Sequence, residues 1–183
     1  MFERLLEQIA AELAGRSIPY LIVGGQAVLV HGEPRLTRDI DVTLGVDVDR
    51  LDDLLAIVAH AGWNVLVQTP QDFVQKTMVL PCEDSTSGVR LDFIFSNSAY
   101  ERQAMARSTT LKVGRTDVRF ASAEDLVVHK VVAGRPRDSE DVRTVLLKNP
   151  HVDVTYIRHW LGELGAALDE SLVARFEEIW KDQ

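Results

Sequence analysis

The stretch from Tyr20 to Leu44 constrains the fold of this chain more than any other segment. It opens with four apolar residues, Tyr20–Val23, which predict a short strand, and continues with Gly24-Gly25, a typical turn signal. A helix of about two turns is predicted over Gln26–Gly32. A polar connection then leads to a second strand that carries Asp39-Ile40-Asp41. The segment therefore predicts a strand, turn, helix and strand, with two carboxylates on the second strand.

The second strand separates its polar and apolar side chains, because successive residues of a strand point to opposite faces. Asp39, Asp41 and Thr43 share one face. The other face can lie against a core and belongs to the residues Ile40, Val42 and Leu44. Two carboxylates are thus expected side by side, just past a glycine turn at the start of a helix. That arrangement suits Mg²⁺ and phosphate.

A third carboxylate, Asp92, is predicted on a strand over Val89–Phe95, opposite that strand's Val, Leu and Phe face. Asp-x-Asp alone is weak evidence in a chain with 28 acidic residues, and a second such pair, Asp47-Val48-Asp49, is explained by helix N-terminal charge. Three aspartates converging on one face of a sheet are stronger evidence. The alternative is that they face solvent at strand ends and that the glycines serve only a turn.

Three converging aspartates would suit phosphate chemistry. Mg²⁺ prefers a few carboxylates together with substrate phosphate oxygens and water. Two such ions can align an attacking hydroxyl with a leaving pyrophosphate. Backbone N–H groups at Gly24-Gly25 and the following helix start could hold a triphosphate.

The composition is that of an ordinary globular protein of 183 residues, with a formal net charge of −8. Proteins that bind long nucleic acids through their phosphates are usually basic, so any RNA should be met locally through a basic patch. No export signal or membrane-spanning segment is visible, and the single cysteine, Cys82, fits a reducing compartment. A cytoplasmic protein without membrane contact is expected.

Strands and helices alternate early and helices dominate late, which predicts an α/β (α+β) class with a mixed sheet flanked by helices. Residues 1–121 are predicted as the core and residues 122–183 as a helical part packed on it, the two together forming one compact unit. Lys76–Leu80 is predicted as a strand and Pro81–Gly88 as a loop. Ser122 with Asp125 resembles a capping box, and Gly134 is expected to end that helix.

The order of Gly-Gly, helix, Thr-x-Asp-x-Asp and a lone Asp on a later strand resembles the DNA polymerase beta-type nucleotidyltransferase superfamily. More narrowly, it is similar to the minimal bacterial branch that includes lincosamide nucleotidyltransferases and the AbiEii-like toxins of toxin–antitoxin systems. The resemblance extends through Ser122–Leu146, where that branch has a helix with a Lys and then a Lys/Arg-Asp-x-x-Asp helix. Aminoglycoside-type enzymes carry Gly-Ser in place of Gly24-Gly25, and the arginine-rich motif of tRNA CCA-adding enzymes is absent.

The resemblance implies roles for individual residues. Asp39, Asp41 and Asp92 would bind the metal, and Asp92 would take the proton of the acceptor hydroxyl. The implied nucleotide-binding residues are Gly24, Gly25, Thr37, Arg38, Lys130, Arg137, Asp138 and Asp141. The implied cofactor is Mg²⁺, with two ions, and the substrate is an NTP such as ATP.

Several alternatives stay open at the level of sequence. Lys130 lies on a mostly apolar helix, where its charge needs a partner or must extend to water. Asp138 and Asp141 could simply complement a helix dipole. The acceptor could be a tRNA end, a protein or a small molecule, and a cognate antitoxin could be a partner. A non-catalytic nucleotide-binding or regulatory module is the alternative to an enzyme.

Overall fold

The computed structural model describes residues 1–181, and the chain divides into two compact units. The sheet unit contains Met1–Val23 and Thr37–Phe120. The helical unit contains Gly24–Leu36 and the chain from Ala121 onward. A division near residue 121 was predicted, and the structure additionally groups the helix after Gly24 with the later helices. Residues 182 and 183 of the predicted helical part lie outside the described residues.

The sheet unit holds seven described strands in the spatial order β3-β4-β5-β2-β1-β7-β6. The pairs β2–β5 and β1–β7 are parallel and the other neighbours are antiparallel, so the predicted mixed sheet is confirmed. The strands are β1 Tyr20–Val23, β2 Asp39–Leu44, β3 Trp63–Val65, β4 Val79–Asp84, β5 Arg90–Phe95, β6 Thr109–Val113 and β7 Thr116–Phe120.

Helices of the sheet unit bury amphipathic faces within that unit. Helix α1 buries a stripe of apolar residues spaced three or four apart and packs against β7 and α3. Helix α5 begins at a capping box in which Ser98 N donates to Glu101 Oε2 at 3.1 Å. The helices of this unit are α1 Phe2–Gly15, α3 Leu51–Ala61, α4 Pro70–Thr77 and α5 Ala99–Ala106.

The helical unit is built from α2 Gly24–His31, α6 Ala123–Ala133, α7 Pro136–Lys148, α8 Val154–Leu168 and α9 Leu172–Lys181. Helix α6 packs against α2, α7, α8 and α9. Its predicted ends are confirmed: Ser122 Oγ accepts from Asp125 N at 3.1 Å, and Gly134 adopts φ = +61°. No helix in the described part of the chain is long and apolar enough to cross a membrane.

Two local predictions were wrong. Residues 70–77 form helix α4, so the strand predicted over Lys76–Leu80 begins only at Val79. Strand β4 then continues through Pro81 to Asp84, into the first half of the loop predicted over Pro81–Gly88. A proline usually argues against a strand between two neighbours, but the Pro81 carbonyl oxygen still accepts from Leu66 N at 2.9 Å, and Leu80 and Cys82 are fully buried. The helix after β1 also begins two residues early, at Gly24, whose φ of +60° takes up the turn.

Candidate active site

Four charged residues occupy adjacent positions on one face of the sheet, two on β2 and two on β5. The parallel register pairs Asp39 with Arg90 and Asp41 with Asp92. Residues that lie directly opposite each other on paired strands project from the same face. Asp39, Asp41 and Asp92, which we call the carboxylate cluster, therefore share one face, with Arg90 at the fourth corner of the group.

Burial of the opposite face fixes this arrangement. Ile40, Val42 and Leu44 of β2 are completely buried, and so are Leu91 and Phe93 of β5. A register slip of one residue would turn this apolar set to the other side of the sheet, so the core determines where the carboxylates lie.

Thr37 supports Asp39 from the segment that leads into β2. Its hydroxyl Oγ1 donates to Asp39 Oδ1 at 3.1 Å, and Thr37 is buried. Asp39 and Asp41 themselves are partly exposed. Thr37 thus holds Asp39 in position, while solvent and solutes can still reach the carboxylates of Asp39 and Asp41.

Arg90 is the positively charged side chain next to the carboxylate cluster on β5. Its Nε donates to Asp92 Oδ1 at 2.9 Å, while 57% of its side chain stays exposed. The hydrogen bond and the charge of Asp92 raise the pKa of Arg90 above its ordinary value, and the charges of Asp39 and Asp41 add to this against the effect of burial. Arg90 was not among the predicted site residues, although alternation along β5 places it on the same face as Asp92.

The donor chemistry of the cluster fits a divalent cation. As the side chains stand, no three acidic, histidine or cysteine residues among those described converge to hold an ion. Mg²⁺ does not require such a cage, because it usually binds one or two carboxylates and completes its octahedron with water and substrate phosphate oxygens. Asp39, Asp41 and Asp92 offer those carboxylates from adjacent backbone positions.

In the helical unit, three predicted nucleotide-binding residues contact one another instead of solvent. Lys130 Nζ lies 2.7 Å from Asp138 Oδ1 and 2.8 Å from Asp141 Oδ2. Arg35 holds both oxygens of Asp141 at 2.7 and 2.8 Å, and Arg135 Nε lies 3.0 Å from Asp138 Oδ2. We call these five residues the ion-pair network. The side chains of Lys130, Asp138 and Asp141 are each at most 7% exposed.

The network is satisfied as it stands. Burial alone would raise the pKa of Asp141, but the hydrogen bonds and charges of Arg35 and Lys130 outweigh it and hold that pKa below its usual range. The need for a partner that the sequence indicated for Lys130 is met by two aspartates. A role of Lys130, Asp138 and Asp141 in nucleotide binding stays a prediction.

The other predicted nucleotide contacts are dispersed over both units. Arg137 is exposed and lines a cavity of about 170 Å³, together with Glu33, Pro34, Arg35, Glu140, Asp141 and Thr144. Gly24 and Gly25 form the first residues of α2, and Arg38 is exposed just before β2. The roles of these residues stay predictions.

The chain belongs to the DUF6036 family, described as a nucleotidyltransferase of unknown function, whose sequence pattern it matches over residues 2–181. The expected class of enzyme is thereby confirmed, and transfer of a nucleoside monophosphate is the general reaction of that class. The AbiEii-like branch is not confirmed. No curated protein shows significant sequence similarity to this chain.

Solved structures share the fold at low sequence identity. An antigenic nucleotidyltransferase-like protein from Paracoccidioides brasiliensis aligns with a TM-score of 0.58 and 19% identity, over 90% of this chain and 87% of its own. ANT(2″)-Ia, in complex with adenylyl-2″-tobramycin, aligns with 0.57 and 21%, over 97% and 98%. The lincosamide antibiotic adenylyltransferase LnuA, with lincomycin bound, aligns with 0.52 and 14%, over 75% and 91%.

Proposed function

We propose that this protein uses Mg²⁺ at the carboxylate cluster to transfer a nucleoside monophosphate from an NTP to a hydroxyl group of a small molecule in the cytoplasm, releasing pyrophosphate. The observation that carries the proposal is the register of β2 against β5, which sets Asp41 beside Asp92 with Asp39 on the same face. Membership of a nucleotidyltransferase family supports the reaction type.

The residues of the cluster share the tasks of this reaction. Asp39, Asp41 and Asp92 would hold the cation, and the hydrogen bond from Thr37 fixes the carboxylate of Asp39. Asp92 accepts the proton of the acceptor hydroxyl as that oxygen attacks the α-phosphorus and the bond to pyrophosphate breaks. When bound, Mg²⁺ stabilises the charge that builds up on the transferring phosphoryl group and the leaving group. Two ions are proposed, as in the sequence-based prediction.

Two observations favour a small acceptor. The formal net charge of −8 opposes a long nucleic acid, whose phosphates would be repelled. The structural neighbours ANT(2″)-Ia and LnuA are described with adenylyl-tobramycin and lincomycin, both small molecules. A tRNA or protein acceptor would instead fit a toxin of a toxin–antitoxin pair with a cognate antitoxin.

The test supplies each α-³²P-labelled NTP with Mg²⁺ to the purified protein, together with a panel of hydroxylated small molecules, total RNA or total protein. Label in a small molecule, absent with Asp41→Asn and present with Asp49→Asn, supports the proposal. Asp49 is a matched control because it belongs to the second Asp-x-Asp pair and is exposed.

The other outcomes are equally specific. Label in RNA or protein would keep the reaction and overturn the small acceptor. Mg²⁺-dependent NTP binding without turnover of any acceptor would support the non-catalytic alternative. Equal labelling by Asp41→Asn and wild type would overturn the catalytic role of the carboxylate cluster.

A further inference from the structure

Arg90 forms an ion pair with one acidic residue, Asp92, but further acidic residues lie next to it on both neighbouring strands. On its own strand it donates to Asp92 Oδ1 at 2.9 Å. Across the sheet its register partner is Asp39 on β2 and, on the opposite side, Glu83 on β4. Acidic residues thus flank Arg90 on both neighbouring strands of the same face.

We infer that Arg90 is a built-in counter-ion of the carboxylate cluster, which holds Asp92 in the metal-free protein and must release it toward Glu83 when a divalent cation binds. Arg90 therefore sets how tightly the cluster binds metal. This inference rests on the proposed function, because it concerns the same cluster.

The electrostatics require this exchange. Three aspartates on adjacent positions repel one another, and the Arg90 guanidinium reduces that repulsion in the absence of metal. A divalent cation brought to the same carboxylates meets the positive charge of Arg90 at close range, and Asp92 Oδ1 is already engaged by it. Metal binding is thus opposed until the contact between Arg90 and Asp92 opens.

The surroundings of Arg90 also allow its side chain to move to a second acidic partner. More than half of its side chain is exposed, so the guanidinium can move without disrupting the core. Glu83 projects from the same face on the next strand and offers a second carboxylate. A long, flexible side chain can move between two acids on adjacent strands, because such positions lie about 5 Å apart.

The contacts among the side chains agree with this picture. The three aspartates are adjacent in backbone register, yet among the described residues no three potential ligands are turned together as a preformed metal cage. The contact of Asp92 that would compete with a cation is its hydrogen bond from Arg90. An alternative is that Arg90 orients Asp92 for the metal and stays in place, in which case its removal would weaken metal binding.

Calorimetric titration of the EDTA-treated full chain with Mn²⁺, without nucleotide, distinguishes an Arg90 that opposes metal binding from an Arg90 that orients Asp92 for the metal. We expect Arg90→Gln to bind Mn²⁺ roughly tenfold more tightly than wild type, since one opposing charge is removed at short range. The control Arg158→Gln removes an exposed arginine that pairs with Glu177 in the helical unit and should leave the affinity unchanged. Equal or weaker Mn²⁺ binding by Arg90→Gln would overturn the inference.

A double-mutant cycle tests the destination of Arg90. Glu83→Gln should weaken Mn²⁺ binding in wild type, and by a smaller factor in the Arg90→Gln background, where no guanidinium needs a new partner. Equal factors in the two backgrounds would exclude Glu83 as that partner.

Failure of the inference is distinguishable from failure of the proposed function. If wild type binds Mn²⁺ and Asp41→Asn does not, the metal site stands whatever Arg90→Gln shows. If wild type binds no Mn²⁺ without nucleotide, the inference is overturned, whereas the proposed function is decided by the labelling test, in which the NTP phosphates supply further ligands. Thermal melting of each variant in EDTA confirms that it is folded before titration.

Discussion

The carboxylate cluster and the ion-pair network are built from the same residue types and differ in burial and charge balance. The cluster sets three aspartates against one arginine on a partly exposed face. The network sets two aspartates against Lys130 and two arginines, with its central residues almost fully buried. Buried charges must be matched, because an unpaired one costs several kcal/mol. An excess of negative charge persists only where solvent or a cation can balance it.

The two regions should therefore respond to mutation in opposite ways. Substitutions in the network should reduce the free energy of unfolding. Substitutions in the carboxylate cluster should reduce catalysis and leave stability nearly unchanged.

The largest stability effect is expected for Lys130→Met. Removing this cation leaves Asp138 and Asp141 buried close together, so the free energy of unfolding should fall by about 3–5 kcal/mol. Urea unfolding measures the change. Asp92→Asn, whose side chain sits on the partly exposed cluster, should stay within about 1 kcal/mol of wild type.

The same variant also tests the nucleotide-binding role predicted for Lys130. If Lys130 contacts the NTP as predicted, the KM for the NTP should rise for Lys130→Met assayed at a temperature where it is still folded. An unchanged KM per folded molecule would limit Lys130 to stabilising the ion-pair network.

The next effect is on the pH dependence of stability. The pKa of Asp141 is lower in the folded protein than in the unfolded chain, so it contributes stability above the unfolded value of about 4, and this is lost as pH falls through the folded value. Wild type should lose its advantage over Asp141→Asn progressively below about pH 4. Urea unfolding at a series of pH values measures it, and a difference that is constant from pH 6 to pH 3 would contradict the predicted coupling.

Whether a feature of these two regions could be predicted from the sequence depends on how far apart along the chain the interacting residues lie. The shared face of Asp39 and Asp41 follows from alternation within one strand. The pairing of Asp41 with Asp92 needs the strand register, and Arg35 reaches Asp141 across 106 positions of sequence. No local pattern indicates such a contact, and for that reason Arg35 was not among the predicted site residues, while the nucleotide-binding role of Lys130, Asp138 and Asp141 stays a prediction.

The error at α4 and β4 has a different cause. Turn-forming residues and Pro81 predict a loop when taken alone, but burial of Leu80 and Cys82 against β5 outweighs that local preference. The missed role of Arg90 is a third case. Alternation along β5 places Arg90 on the face of Asp92, but its hydrogen bond to Asp92 follows only from the folded side chains.

The smallest effect is expected for Thr37→Val, which removes the hydrogen bond to Asp39 Oδ1 and keeps the volume of the side chain. The transfer rate should fall roughly tenfold, as is typical when a residue that orients a metal ligand is lost. Steady-state kinetics measures it, with Thr110→Val at an exposed position of β6 as the control. An unchanged rate would show that Asp39 needs no support from Thr37.

The measurement that tests the central claim most directly is the transfer rate of Asp41→Asn, determined with the NTP and acceptor found for wild type and normalised to folded protein. Loss of a cation-binding carboxylate should reduce the rate by about 10³-fold or more, with thermal melting unchanged in EDTA. A rate within tenfold of wild type would contradict the claim that this cluster is where nucleotidyl transfer takes place.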